Sequence, residues 1–285
     1  MQSLVSTEWL AAELGAADLV VLDASAHLPD AGRDPAAEFT EAHIPGARYL
    51  DLATLVDPES PVPSAIPTAG QFTERMQVLG VNRDDRVVIY DDSAVKTSAR
   101  AWFIARLHGM KNVAILDGGL GKWRAEGRPL ESGVAADVPR GDFAACEGCG
   151  TVRGKANMLA NLESRAEQVA DARGPGRFTG REPDFRPGVP SGHIPGSRNL
   201  PFGEVMNEDG TFKDETGIRA AFAAAGIDLS RPVATTCGGG VTAAVLLFAM
   251  DRLGKHDVSL YDGSWSEWAM DPETPKATGE PEIAG

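Results

Sequence analysis

The sequence predicts an α/β protein of two tandem domains, each built on a parallel sheet with helices on both faces. The chain has 285 residues, more than the roughly 100–150 residues of a common domain. Its motifs recur once in the same order, and short apolar runs alternate with helical patterns in both halves. Strands that alternate with helices are typical of parallel sheets covered on both faces.

Two short motifs carry the internal repeat. His-Ile-Pro-Gly-Ala-Arg at residues 43–48 recurs as His-Ile-Pro-Gly-Ser-Arg at residues 193–198. Asp-Gly-Gly at residues 117–119 recurs as Asp-Gly-Ser at residues 262–264. Because the order and spacing of the motifs are kept, we infer that one fold has been duplicated.

Each half is expected to contain the same elements in the same order. Apolar runs predict strands at residues 19–22, 87–90 and 113–116, and again at 168–170, 232–236 and 258–261. A helical pattern covers residues 99–108, and a nearly all-apolar pattern at 241–253 predicts a buried helix. Residues 131–157, rich in glycine and small residues, are expected to link a domain at 1–130 to a second domain at 158–285.

Charge and composition exclude several classes of protein. The chain carries 27 Lys plus Arg against 41 Asp plus Glu, a net charge of -14, whereas nucleic-acid binding depends on neutralising phosphates. The most apolar run, residues 241–250, is far shorter than the ~20 residues that span a bilayer. With three cysteines and no visible targeting segment, we expect a cytoplasmic protein that binds neither nucleic acid nor membrane.

The strongest chemical signal is a cysteine that ends a predicted strand and precedes three glycines and the buried helix. Glycine permits positive φ angles, which bring successive backbone N–H groups together, and the free N–H groups of the helix start point to the same place. We therefore predict an anion cradle that stabilises the Cys237 thiolate as a nucleophile. Its members are Gly238, Gly239, Gly240, Val241 and Thr242. The alternative is an unreactive buried cysteine, but packing alone does not require three glycines.

Three motifs resemble those of the rhodanese-type sulfurtransferases. Residues 39–47 and 258–268 are similar to the amino- and carboxy-terminal signatures of that family, and residues 237–242 resemble the active loop of its 3-mercaptopyruvate sulfurtransferase branch. The resemblance implies two tandem rhodanese-like domains, of which only the second is active. An ungapped alignment of the halves agrees, because it places Asp92 opposite Cys237, and a carboxylate cannot carry a sulfane sulfur.

The reaction that the resemblance implies needs no cofactor and no metal. The Cys237 thiolate would take the sulfur of a small donor and hold it as a persulfide. A thiol acceptor, such as thioredoxin or a low-molecular-weight thiol, or cyanide would then remove the outer sulfur in a ping-pong cycle. The first candidate is a 3-mercaptopyruvate sulfurtransferase, and the neighbouring one is a thiosulfate:cyanide sulfurtransferase.

Donor choice depends on positive groups near the loop. The two residues after Cys237 are neutral glycines where thiosulfate-preferring relatives carry basic residues, which disfavours that donor. The substrate-binding arginines of the mercaptopyruvate branch fall, by resemblance, on Arg177 and Arg186. A guanidinium can hold a carboxylate in two parallel hydrogen bonds. The alternative is that these arginines are solvated or paired with Glu182 or Asp184.

Two other classes of function have less support. Cysteine-dependent phosphatases need an arginine six residues after the cysteine, where this chain has Ala243. A non-catalytic binding module would not need a reactive thiol in a glycine-rich loop.

One residue departs from the pattern of the branch. Many members have Ser or Thr where Gly239 stands, and a Ser–His–Asp relay has been suggested for some of them. The other two relay positions fall on Ala53 and Ser64 in this chain. We expect no such relay, so the thiolate must depend on the cradle.

The remaining histidine and cysteine motifs are given structural interpretations. His43 and His193 precede the same Ile-Pro-Gly turn in both halves, and only one half has a nucleophile, so we expect the imidazoles to fix the turns. Cys146 and Cys149 form a C-x-x-C motif that suits a redox pair or half of a metal site. No second pair at zinc spacing accompanies them, which disfavours zinc and leaves the redox pair as an alternative.

Overall fold

The computed structural model describes residues 1–280 and confirms the predicted α/β class. The chain divides into two compact units, each with its own five-stranded parallel sheet. The first unit comprises Met1–Pro58, Ile66–Gly150 and Glu208–Phe212, and the second comprises Glu59–Ala65, Thr151–Asn207 and the chain from residue 213 onward.

The first sheet has the strand order β1-β5-β4-β2-β3, and all neighbouring strands are parallel. Its strands are β1 (Leu4–Val5), β2 (Leu19–Asp23), β3 (Arg48–Tyr49), β4 (Arg86–Tyr90) and β5 (Val113–Leu116). The helices of this unit are α1 (Thr7–Glu13), α2 (Pro35–Glu41), α3 (Ala69–Val78), α4 (Thr97–Leu107) and α5 (Gly119–Ala125).

The second sheet has the equivalent order β6-β10-β9-β7-β8, which confirms the duplication. Its strands are β6 (Val152–Arg153), β7 (Gln168–Asp171), β8 (Arg198–Asn199), β9 (Val233–Thr236) and β10 (Val258–Tyr261). The helices are α6 (Lys155–Ser164), α7 (Pro175–Thr179), a 3₁₀ turn (Phe202–Val205), α8 (Glu215–Ala224), α9 (Val241–Arg252) and α10 (Ser264–Met270).

Local signals explain where the outer helices begin. Asp34 accepts hydrogen bonds from two backbone N–H groups at the start of α2, whose first residue is Pro35. Thr68 and Gln71 form a capping box at the start of α3. By contrast, α4 and α9 begin at a backbone in the left-handed region without a side-chain cap from the residue before them. The N–H groups at these two helix starts are therefore open to other acceptors.

The helix predicted to be buried is α9. All residues from 243 to 250 are buried, and Gly254, with φ of +71°, follows the end of the helix. Trp123 and Trp268, which occupy matching places in the two repeats, are fully buried in the cores of their units. Among residues 1–280, no helix is both long and apolar enough to cross a bilayer.

The segment predicted to be a linker, residues 131–157, is mostly ordered into the two units. Its first part belongs to the first unit, where Glu131 and His43 exchange backbone hydrogen bonds and the Phe143 N–H donates to Val81. Its last part forms β6 and the start of α6 in the second unit. The prediction of a linker relied on the small residues, but Gly141 is small because its backbone lies against the Val81 carbonyl.

Candidate active site

Cys237 lies where the sequence predicts it, directly after β9 at the carboxyl edge of the second sheet. Cys237 is only 2 % exposed, while Gly238 and Gly239 are partly exposed. Gly240 has φ of +79° and turns the chain into α9. The glycine at this position is required because a residue with a side chain is strained at such an angle.

The start of α10 holds the cysteine loop through three hydrogen bonds. The Cys237 N–H donates to Ser264 Oγ at 3.2 Å. The Trp265 N–H donates to the Cys237 carbonyl at 3.0 Å, and the Ser266 N–H donates to the Gly238 carbonyl at 2.9 Å. Both carbonyls of the loop are thus turned toward α10. Ser264 and Ser266 were not predicted as site residues, although both lie within the carboxy-terminal signature.

Sheet register corrects the alignment of the two halves. Tyr90 in the first sheet and Thr236 in the second each pair with the final aspartate of the neighbouring strand. Tyr90 and Thr236 are therefore equivalent, so the counterpart of Cys237 is Asp91, and the prediction of Asp92 was wrong by one residue.

Hydrogen bonds to the loops support the corrected alignment. The Leu120 N–H donates to the Asp91 carbonyl at 3.0 Å, just as the Trp265 N–H donates to the Cys237 carbonyl at the same distance. The first loop is longer than the second, but α4 has 11 residues and α9 has 12. These length differences partly cancel, which is why an ungapped alignment misplaces the residue.

The first half shows what the loop and helix start can hold. Both oxygens of the buried Asp91 carboxylate accept backbone hydrogen bonds at 2.8 Å, one from the Ser93 N–H and one from the Ser98 N–H near the start of α4. The matching N–H groups in the second half are those of Gly239 and Thr242, two of the predicted cradle residues. In the first half, the loop and the helix start therefore hold an anion directly after the strand.

Asp92 belongs to a polar cavity in the first unit. Its carboxylate forms ion pairs with Arg33 at 3.1 Å and Arg124 at 3.3 Å. The cavity has a volume of about 390 Å³ and is also lined by Asp23 and Glu38. Its arginines are neutralised by carboxylates, so it offers no uncompensated positive charge to an anionic ligand.

Arg186 reaches the cysteine loop, but the side of its guanidinium that could grip a carboxylate is occupied. Nε and Nη2 each donate to one Asp184 oxygen at 2.8 Å. Nη1 donates to the Gly238 carbonyl at 2.7 Å and also contacts Ser266 Oγ. Burial raises the pKa of Asp184, but the hydrogen bonds from Arg186 outweigh burial and lower it below its usual value. The predicted two-bond grip on substrate is therefore made to Asp184 instead.

Arg177 is the other predicted arginine, and it is less committed. Among residues 1–280, its guanidinium has no ion pair and lies 5.4 Å from the centre of the Phe185 ring. Arg186 lies 5.3 Å from the centre of the same ring. The exposed Phe185 thus contacts both guanidiniums, a role that could not be predicted because an isolated phenylalanine carries no motif.

A buried ion pair supports this part of the second unit. Asp171 and Arg173, each 1 % exposed, form a two-bond pair, and Arg173 also lies 4.7 Å from the centre of the Trp265 ring. In the described chain, Arg173 Nη1 and Thr236 Oγ1 are buried without a hydrogen-bond partner. Neither Asp171 nor Arg173 was predicted from the sequence as part of the site.

The two histidines have the structural role that was expected. His43 Nδ1 contacts the Phe39 carbonyl at 2.8 Å, and His193 Nδ1 contacts the Phe178 carbonyl at 2.9 Å. Each imidazole is stacked on the ring of the same phenylalanine, with centroids 4.1 and 3.9 Å apart. The stacked pairs are nearly identical in the half with the cysteine and the half without it, so they fix the turns.

Cys146 and Cys149 are bonded as a disulfide, with Cα atoms 6.1 Å apart. They lie in the last loop of the first unit, where the Cys146 N–H donates to the His108 carbonyl. Cys237 is the free cysteine of the chain. The structure therefore favours the redox pair over the metal site among the alternatives for this motif.

Comparisons with known proteins agree with this geometry. The model of the rhodanese-like domain matches residues 6–126 and 155–271. The chain is 41 % identical to human 3-mercaptopyruvate sulfurtransferase over 94 % of this chain and 92 % of the relative. It is 37 % identical to the thiosulfate sulfurtransferase of Cricetulus griseus over 98 % of this chain and 96 % of the relative.

A solved structure is similar over nearly the same extent. SseA, a 3-mercaptopyruvate sulfotransferase from Escherichia coli, aligns with a TM-score of 0.84 and 35 % identity, covering 94 % of this chain and all of SseA. The resemblance inferred from the three sequence motifs is thus confirmed. The chain belongs to the rhodanese-like domain family, and it carries two copies of that domain.

Proposed function

We propose that the protein is a sulfurtransferase that moves sulfur from 3-mercaptopyruvate to a thiol or to cyanide through a persulfide on Cys237. The first half, with Asp91 at the equivalent position, takes no part in the chemistry. The names of the human and E. coli relatives support the choice of donor.

One observation carries the proposal. Cys237 stands where the first half holds a carboxylate between backbone N–H groups of a loop and a helix start. The same backbone arrangement around a thiol stabilises the thiolate, which is the nucleophilic form of cysteine. It also stabilises a persulfide anion, so the cradle need not rearrange between the two half-reactions.

The first half-reaction transfers sulfur from carbon to the cysteine. The Cys237 thiolate attacks the thiol sulfur of 3-mercaptopyruvate, and the bond between that sulfur and its carbon breaks. The electron pair of this bond leaves with the carbon as the enolate of pyruvate, which takes a proton to become pyruvate. Cys237 is left with an S–SH group, and no external oxidant or reductant is needed.

The second half-reaction restores the thiolate. An acceptor thiolate attacks the outer sulfur, the S–S bond breaks toward Cys237, and the acceptor leaves as a persulfide. Cyanide would leave as thiocyanate. We propose a low-molecular-weight thiol or a protein such as thioredoxin as acceptor, and residence in the cytoplasm, because Cys237 must remain reduced between cycles.

Substrate recognition is assigned to Arg177 and, in part, to Arg186. The chain has a net charge of -14, so an anionic donor must find local positive charge. We assign to Arg177 the pairing with the donor carboxylate, which is supported by its lack of an ion pair within the described chain and by its contact with the Phe185 ring. Arg186 adds positive charge next to the loop while it remains bound to Asp184.

The test is a comparison of turnover with 3-mercaptopyruvate and with thiosulfate, using Cys237→Ser as control. We expect faster turnover with 3-mercaptopyruvate and a mass increase of one sulfur atom on Cys237 in the absence of acceptor. If the protein strongly prefers thiosulfate, thiosulfate would replace 3-mercaptopyruvate as the proposed donor. The name of the Cricetulus griseus relative, a thiosulfate sulfurtransferase, makes thiosulfate the alternative to test. Absence of the mass increase with both donors would remove the persulfide mechanism.

A further inference from the structure

Ser266 distinguishes the half with the thiol from the half without it. Trp265 and Leu120 are equivalent because each donates its N–H to the carbonyl of the residue directly after the strand, Cys237 or Asp91. The next residue is Ser266 in the second half and Gly121 in the first. Only the second half therefore has a hydroxyl at this position, and that residue is 9 % exposed.

The hydroxyl of Ser266 connects the loop to an arginine. Ser266 Oγ donates to the Gly238 carbonyl and accepts from Arg186 Nη1. Arg186 Nη1 and the Ser266 N–H also donate to the Gly238 carbonyl. Three donor groups thus lie within hydrogen-bond distance of one carbonyl oxygen, which has two lone pairs to share among them, and the serine hydroxyl uses its proton and a lone pair at once.

The orientation of this carbonyl determines where the next N–H points. The described chain contains no cis peptide bond, and in a trans peptide the C=O and N–H groups point in opposite directions. When the Gly238 carbonyl is held toward Ser266, the Gly239 N–H is directed to the other side of the loop. Its counterpart in the first half, the Ser93 N–H, donates to the Asp91 carboxylate.

We propose that Ser266 is a positioning residue for the sulfurtransferase reaction. Its hydroxyl locks the Gly238 peptide so that the Gly239 N–H faces Cys237 Sγ, and it holds Arg186 beside the loop. This inference rests on the proposed function for its kinetic consequence. Its geometric consequence, the support of the Cys237 thiolate, does not depend on the donor.

The primary test is the rate at which iodoacetamide alkylates Cys237, measured against pH in Ser266→Ala. We expect a rate about five- to tenfold below the natural protein at pH 7, the size expected from one lost hydrogen bond. The two rates should converge at high pH, where the thiolate forms without help. Ser266→Thr keeps the hydroxyl and should restore the rate, whereas the exposed Ser230→Ala is a matched control that should leave it unchanged.

Steady-state kinetics provide the second readout. Ser266→Ala should lower kcat for 3-mercaptopyruvate by a similar factor with KM changed about twofold at most, because the reacting sulfur is affected more than binding. Equal alkylation profiles for Ser266→Ala and the natural protein would overturn the inference. If the alkylation rates differ while neither donor supports turnover in the natural protein, the proposed function fails and the role of Ser266 stands.

Discussion

The two halves place different side chains directly after equivalent strands of their sheets. In the first half, the Asp91 carboxylate is held by the N–H groups of Ser93 and Ser98. In the second half, Cys237 occupies the same place, and its carbonyl is held in the same way by α10. The comparison teaches that the fold supplies a site for negative charge, whereas the identity of one side chain decides whether that charge is reactive.

The halves also differ in what lies between the stacked phenylalanine and histidine. The two residues are four positions apart in the first half and 15 apart in the second. The extra residues contain Asp184, Phe185 and Arg186, of which Arg186 donates to the Gly238 carbonyl in the cysteine loop. The segment that we propose to bind substrate therefore fits into the second half without disturbing the turn that both halves share.

The largest effect is expected from replacing Cys237, and it contrasts with the effect of replacing its counterpart Asp91. Cys237→Ser should lower sulfur transfer at least about a thousandfold, because no persulfide forms without the thiol. Asp91→Asn should leave turnover per folded molecule within about twofold and lower the free energy of unfolding by about 1–2 kcal/mol, since a helix start loses a carboxylate acceptor. Turnover and urea unfolding of both variants measure this. Loss of turnover in Asp91→Asn would contradict the division of roles between the halves.

The next effect concerns the segment present only in the second half. Arg177→Ala should raise KM for 3-mercaptopyruvate about tenfold or more with kcat little changed, because an ion pair with the carboxylate is lost. Arg186→Ala should affect both constants, since Arg186 also holds the Gly238 carbonyl.

The exposed Arg181, which pairs with Glu280 in the same part of the unit, provides the control. Arg181→Ala should leave KM unchanged, and steady-state kinetics with varied donor measure all three variants. A KM for Arg177→Ala equal to that of the natural protein would remove Arg177 from the site.

A smaller effect is the pH dependence of the Asp184–Arg186 pair. The folded pKa of Asp184 lies below its ordinary value of 3.8, so the pair stabilises the fold above that value and loses its contribution as pH falls through the folded pKa. The difference in free energy of unfolding between the natural protein and Asp184→Asn should stay constant from about pH 7 to 5. It should shrink only below pH 3.8. A difference that already declines near pH 6 would contradict this account.

The smallest effect is expected from the disulfide of the first unit. Cys146 and Cys149 lie in the half without the nucleophile, so their reduction should change the turnover by about twofold at most. Mass spectrometry should find one alkylated cysteine before reduction and three after it, in keeping with the bonded pair and the free Cys237. A much larger change in turnover on reduction would assign this pair a regulatory role.

Features encoded by neighbouring residues were predictable from the sequence. The repeated turn motif, the apolar runs and the apolar 241–253 pattern identified two copies of an α/β unit, because strands and helices follow local periodicity. The cysteine followed by three glycines marked the loop, since glycine permits the positive φ found at Gly240. These signals were sufficient to locate the loop of Cys237, and the roles of Cys237 and of the cradle residues stay predictions.

Features that depend on distant residues required the folded chain. The alignment of Cys237 with Asp91 could be found only from the pairing of the strands. The first half has a longer loop but a shorter helix than the second, and the two differences partly cancel when residues are counted. Arg186 is bound by Asp184, two residues away, and contacts Ser266, 80 residues away. Both contacts depend on the direction of the Arg186 side chain in the folded chain. Hydrogen bonds between remote segments form only after the apolar surfaces have packed, so composition and spacing carry little information about them.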